Sequence, residues 1–120
     1  MKALSVKQPW ANLIATGKKT IETRQWKTDY RGTILICSTK MPDISPAGAA
    51  LAVANLIDCR SMSVLDEPKA LCSKYDGAFA WVLDGIRPIK TFPVRGELGL
   101  FDVSLEEREI EFLKTKEIDV

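Results

Sequence analysis

ALAVANLIDCRSMSV, residues 50–64, is the stretch on which the fold turns. Its apolar residues run almost unbroken from Ala50 to Ile57. Periodicity alone does not separate a buried helix from a strand covered on both faces in such a run. We read most of it as a long strand that ends in a polar turn. The stretch before it, GTILICST (32–39), is apolar and β-branched, as expected of a strand buried on both faces. Between the two, residues 40–48 carry Pro42, Pro46 and Gly48 and predict a loop.

Further outward the pattern stays short and mixed. Toward the C-terminus, DEPKALCSKY (66–75) opens with acids and Pro68, which predicts a helix start. AFAWVL (78–83) places Phe79, Trp81 and Leu83 on one face of a strand, and Asp84-Gly85 and Pro88 punctuate a connection. PVRGELGLFDVS (93–104) reads as another strand, with Gly96 and Gly99 marking bulges or close backbone approach. The charged tail 105–120 is helix-prone, with Leu105, Phe112 and Leu113 as docking residues. Toward the N-terminus, Arg31-Gly32 predicts a turn and KTIETR (19–24) an extended segment. Residues 9–16 form a short amphipathic helix. Pro9 suits its first turn, Trp10, Leu13 and Ile14 make one stripe, and Gly17 ends it. ALSV (3–6) is a short strand. Five or six strands with short helices and no βαβα alternation predict an α+β, mainly β fold, a small barrel in a single domain over 1–120.

Composition narrows the chemistry. The 120 residues contain no histidine, which excludes Ser-His-Asp and Cys-His mechanisms and His-ligated zinc. Acid–base chemistry would fall to Lys, Glu, Asp, Tyr or Thr. Cys37, Cys59 and Cys72 form no CxxC pair and read as reduced, partly buried thiols. The acidic and thiol side chains are too dispersed for a metal site, so no metal and no cofactor is expected. No apolar run reaches membrane-spanning length and no secretory signal is recognisable, so a cytoplasmic location with no membrane partner is expected. Net charge is +1, unevenly placed. Residues 1–40 hold eight Lys/Arg and two acids, net +6, while residues 41–120 hold nine and fourteen, net −5. That asymmetry points equally to an anionic partner for the basic part or to mutual neutralisation in the fold.

The chemistry-bearing side chains concentrate in SVKQPWANLIATGKKTIETRQW (5–26). Alternation puts Thr20, Glu22 and Arg24 on one face and Ile21 toward the core. A Glu two residues from an Arg orients its guanidinium, which grips phosphate in bidentate fashion, and lysine adds a point charge. Lys18, Lys19, Arg24, Lys27 and Arg31 could together offer an anion-binding surface, and Trp10, Trp26 and Tyr30 stacking faces for bases. The competing reading is a solvated basic hairpin with both tryptophans in the core. Ser38-Thr39-Lys40, at the end of a buried strand, can donate hydrogen bonds into the same region, although a plain strand-end turn is the stronger reading. Arg95 and Glu97 read as a surface cross-strand pair, and the acids from Glu106 to Glu111 as a solvated helix face.

GKKTIETR (17–24) resembles the GxKxxExR signature of the ASCH domain through Gly17, Lys19, Glu22 and Arg24. LSVKQPWANLI, the later Trp26 and YRGTILICS, and FPVRGELGLFDV are also similar to that family. The resemblance implies a β-barrel of the PUA type with helices packed around it and a cleft beside the barrel. It carries Lys19, Glu22 and Arg24 into that cleft and Gly17 as a backbone requirement. It further implies RNA binding, which with Trp10, Lys18, Trp26, Ser38 and Lys40 completes the expected ligand-binding set, an RNA or nucleotide-like molecule being the partner. Some small ASCH-like proteins are amidohydrolases that deacetylate N4-acetylcytidine with a lysine, a threonine three residues later and a distant Glu. Lys19 matches that lysine, whereas Glu22 stands at the threonine position. Other relatives are ribonucleases. The alternatives to simple RNA binding are therefore a small hydrolase using Lys19 with Glu22, and a module for peptides or small anions.

Overall fold

The computed structural model describes residues 1–113. Its centre is one six-stranded sheet, and the long apolar run is indeed a strand. In chain order the strands are β1 (Lys2–Val6), β2 (Ile21–Arg24), β3 (Gly32–Ser38), β4 (Ala49–Ser61), β5 (Phe79–Pro93) and β6 (Leu100–Asp102). Their spatial order is β2-β5-β4-β3-β1-β6. The pairings are antiparallel except β1 with β3. The sheet curls into a half-barrel whose end strands, β2 and β6, do not pair.

Alternation along β3 explains why both faces are apolar. Ile34 and Ile36 join Leu4, Val6, Leu56 and Trp81 in one core, while Leu35 and Cys37 join Ala3, Val53, Ile89 and Phe101 in another. β4 feeds the same two cores, but not with strict period two. Register shifts interrupt its ladder to β5 at Ala50/Ala52, Val53/Asn55 and Leu56/Asp58. Each extra residue re-aims the side chains that follow, so a continuous apolar run serves two faces.

Helix α1 (Trp10–Ala15) follows Pro9 and turns Ala11 and Ile14 into the first core. Gly17 ends it at φ +80, where a Cβ would be strained. A second short helix, α2 (Glu67–Ala70), follows a 3-10 turn over Val64–Asp66. The helix expected over 66–75 is therefore only its first turn, because the chain reverses at Leu71, φ +56. Ala70 packs with Ile21, Met62, Ala78 and Ala80 in a third cluster.

Three expectations are corrected. The connection expected at 84–88 is strand: β5 runs through Asp84, Gly85 and Pro88, and Gly85 at φ +55 absorbs the irregularity. Pro88 is tolerated because β2 pairs with β5 only from Phe79 to Val82, and along the later residues that edge meets no regular strand but the isolated Ile89–Phe112 bridge, in which Pro88 contributes its carbonyl to Leu113 N–H. The strand expected over 93–104 shrinks to Leu100–Asp102, leaving residues 94–99 irregular. Within the tail, residues 107–109 form a 3-10 turn and Phe112 bridges to Ile89. Leu105 and Phe112 pack on the second core, whereas Leu113 is exposed. The rest of the tail, 114–120, lies outside the described residues. Among those described, no helix is long and apolar enough to cross a membrane.

A candidate ligand cleft between the sheet edges

On the open side of the half-barrel, β2 faces the end of β1 across a cleft of about 820 Å³. β2 contributes Glu22, Thr23 and Arg24. Ser5 and Lys7 come from β1 and the residues just after it, Trp10 from α1, and Ser38, Thr39 and Lys40 from the end of β3 and the turn beyond. The irregular segment 94–99 forms the opposite wall, and Cys72 and Tyr75 close one side.

Backbone hydrogen bonds tie these walls together. Thr39 N–H donates to the Val6 carbonyl, Gly48 N–H to Thr39 and Val94 N–H to Gly48. Gln8, just before α1, and Asn12 within it brace the 40–48 loop, donating to the carbonyls of Pro46 and Ser45. The loop that carries Lys40 is thereby held against the helix that carries Trp10.

The floor is a chain of charges. Lys19 is 2% exposed and Glu22 8%. Lys19 Nζ donates to the Ala70 carbonyl at the C-terminus of α2, lies 3.6 Å from Glu22 Oε1 and sits 5.4 Å from the centroid of the Trp10 ring. Arg24 Nε and Nη2 both reach Glu22 Oε2, at 3.1 and 3.0 Å, and Nη2 also donates to the Ser5 carbonyl at 2.6 Å. One buried carboxylate is thus held between two cations, the arrangement that makes its burial tolerable. Arg24 also bridges the open side of the half-barrel, from β2 to β1. Around the mouth, Lys7, Lys40 and Arg95 are exposed and form no ion pair among the described residues.

Of the side chains singled out in the sequence, the fold brings Trp10, Lys19, Glu22, Arg24, Ser38 and Lys40 to this cleft. Gly17, Lys18 and Trp26 lie outside its lining. Gly17 shapes the backbone that leads to Lys19, and Lys18 is exposed. Trp26 stacks edge-on against Trp81 at 4.7 Å, and its carbonyl accepts from Trp81 Nε1. Arg31 turns to Asp58 and to backbone carbonyls, and the Tyr30 hydroxyl donates to the Thr33 carbonyl. Thr20 is held by backbone bonds to Lys69 and Leu83. Arg95 and Glu97 line the cleft instead of pairing across a ladder.

Ser5, Lys7, Cys72 and Tyr75 were not legible as site residues, because only the packing of β1 and α2 beside β2 brings them in. Gly96 and Gly99 did carry a signal. A Cβ on Gly96 would come within 2.7 Å of Ser5 Oγ, the close approach that glycine in such a segment suggests. Among the described residues, no three Cys, Asp or Glu side chains gather closely enough to hold a metal ion.

A curled half-barrel with a charged cleft between its edges defines a class of small β-rich domain. The chain belongs to the ASCH domain family, whose model matches residues 4–103. It is 28% identical over 119 residues to human activating signal cointegrator 1 and 27% identical to the mouse protein. Each match covers 78% of this chain and 20% of the relative, so the chain matches about a fifth of the length of these curated relatives. Its fold is similar to the crystal structure of an ASCH protein from Zymomonas mobilis, with TM-score 0.67 and 18% identity over 98% of this chain and 90% of that one. A single-substitution variant of that protein matches equally well, with TM-score 0.67 and 19% identity over 98% and 95%.

Proposed function

We propose that the protein, in keeping with a cytoplasmic location, binds RNA or a nucleotide-like ligand in the cleft between β2 and β1. The observation that supports this reading best is the cleft's charge layout. Three exposed cations, Lys7, Lys40 and Arg95, form no ion pair among the described residues and outnumber the exposed Glu97 around the mouth, above a floor in which Lys19 and Arg24 share the Glu22 carboxylate. Unpaired cations at a cleft mouth attract a phosphate backbone, and the half-exposed Trp10 ring offers a stacking face. The volume lies within the usual range of about 300–1,000 Å³ for small-ligand sites and suits one nucleotide unit more than a duplex. Lys19, already committed to Ala70 and Glu22, serves here as scaffold for Glu22 and Arg24 more than as a base.

Fluorescence anisotropy with short single-stranded RNA, titrated in salt, tests this. Each neutralised phosphate of a single strand contributes about 0.7 to the log–log salt slope, so three rim cations predict a slope near about −2. Lys40→Ala should lower that slope by about 0.7. No binding at low salt, or binding untouched by removing all three rim cations, would count against the reading. Turnover of N4-acetylcytidine that disappears in Lys19→Arg would make the cleft a hydrolase. Thermal stabilisation by peptides or simple anions alone would make it an interaction module.

A further inference from the structure

The cleft floor contains three polar atoms that form no hydrogen bond among the described residues. Ser5 Oγ is buried with no hydrogen-bond partner, the one such side-chain atom among the described residues. Its cover is the backbone of Gly96, where even a Cβ would collide at 2.7 Å. Arg24 spends Nε and Nη2 on Glu22 and Ser5, and Nη1 has no acceptor among the described residues. Glu22 spends Oε2 on Arg24, while Oε1 forms no hydrogen bond among the described residues, Lys19 Nζ lying 3.6 Å away. One donor, one acceptor and one hydroxyl that can be either thus belong to three residues lining the same recess.

A backbone phosphodiester cannot satisfy this set. It only accepts, and any phosphate would bring negative charge against the buried Glu22 carboxylate. A nucleobase edge carries donors and acceptors side by side and is neutral, so it can give to Glu22 while accepting from Arg24 and Ser5. The geometry points to a base-first binding mode: an unpaired nucleobase inserts its polar edge into the floor formed by Ser5, Glu22 and Arg24, and its phosphates stay at the mouth with Lys7, Lys40 and Arg95. This deepens the nucleic-acid reading of the cleft and rests on it. Ser5 is then a specificity-determining residue that nothing in the signature indicates, and segment 94–99, free of sheet pairing, is what the base displaces to reach it.

Isothermal titration of the full chain with adenosine, cytidine, guanosine and uridine, their 5′-monophosphates, ribose 5-phosphate and inorganic phosphate tests the mode. At least one nucleoside should bind within about threefold of its monophosphate, with little change between about 50 and about 500 mM salt. Ribose 5-phosphate and phosphate should bind at least about tenfold more weakly than that nucleoside. Ser5→Ala removes an unpartnered hydroxyl, so its melting midpoint should hold or rise while nucleoside affinity falls about tenfold and the salt slope for RNA stays the same. Glu22→Gln, provided it folds, should change which nucleoside is preferred. Nucleosides that bind more weakly than ribose 5-phosphate overturn the base-first mode. RNA binding with no nucleoside binding, or with Ser5→Ala inert, overturns it while leaving the RNA reading intact. Nucleoside binding without RNA binding removes the RNA part and keeps the base floor, and absence of both removes both.

Discussion

Lys19 illustrates how one side chain can serve two levels of structure. Its Nζ takes up a carbonyl at the C-terminus of α2 and balances Glu22 in the cleft floor. Removing one partner of a buried charge pair costs about 3–5 kcal/mol, and Arg24 remains to compensate Glu22 in part. Lys19→Met should therefore lower stability by about 2–3 kcal/mol in urea unfolding. Loss of ligand binding in that variant reports scaffold damage as well as lost contact, which makes the rim residues Lys7 and Lys40 cleaner probes. The thiols separate on the same scale. Burial pushes the Cys37 thiol up to about 12, so its thiolate is scarce at neutral pH. Cys72 is half-buried, lines the cleft, packs against the third cluster and has the Thr23 hydroxyl 3.8 Å from its sulfur. Iodoacetamide labelling followed by mass spectrometry should modify Cys72 well before Cys37, and a bound ligand should slow it. Modification of Cys37 first would contradict the burial.

At the scale of elements, glycines mark where regular structure has to change direction. Gly17 ends α1 at φ +80, and a Cβ there would meet nothing within 4 Å. Gly17→Ala thus isolates the backbone cost, about 1 kcal/mol. Gly85 sits at φ +55 in the irregular β4–β5 ladder, and a Cβ would fall 2.8 Å from Asn55 Nδ2. Gly85→Ala adds a clash to the same strain and should cost about 2–3 kcal/mol. Comparing the two midpoints by thermal unfolding checks the order, and equal losses would refute the steric part. These irregularities were only half legible. Gly17 follows an amphipathic stripe and reads as a stop, because helix termination is local. Asp84-Gly85 reads as a connection for the same local reason, yet the chain continues as strand, since pairing with β4 supplies hydrogen bonds that local propensity cannot see. Likewise 94–104 has strand composition, but only Leu100–Asp102 finds a partner, in β1.

For the whole molecule, one ion pair ties acid stability to the joint between β4 and α2. Arg60 grips Asp66 through both nitrogens, at 2.7 and 2.9 Å, and Ser63 N–H donates to the same carboxylate. The hydrogen bonds from Arg60 come first in holding the Asp66 carboxyl below its ordinary 3.8, at about 2. A carboxyl with a lowered folded-state value stabilises the fold above its unfolded value and ceases to do so as pH falls through the folded one. Unfolding free energy should therefore drop between about pH 4 and about pH 2, by about 1 kcal/mol once the half-exposed Arg60 is discounted for solvent screening. Asp66→Asn should flatten that part of the curve in urea titrations across pH, and an unchanged slope would contradict the assignment.

The sequence by itself determined the strand-rich class, the family resemblance, the helix ending at Gly17 and the density of Lys, Glu, Arg and Trp between Ser5 and Trp26. Those properties are local: hydrophobic run length, turn residues and signature spacing sit in neighbouring positions. The grouping of Lys19, Glu22 and Arg24 was already readable from alternation and the signature, whereas the tertiary structure alone decided what meets it. It set the Ala70 carbonyl on Lys19, turned Trp26 toward Trp81 and Arg31 toward Asp58, and brought Ser5 beneath Gly96, a residue 91 positions away along the chain. The physical reason is the open curl of the sheet. Its end strands are β2 and β6, so the cleft forms between segments whose proximity depends on strand order, which no local pattern of residues encodes.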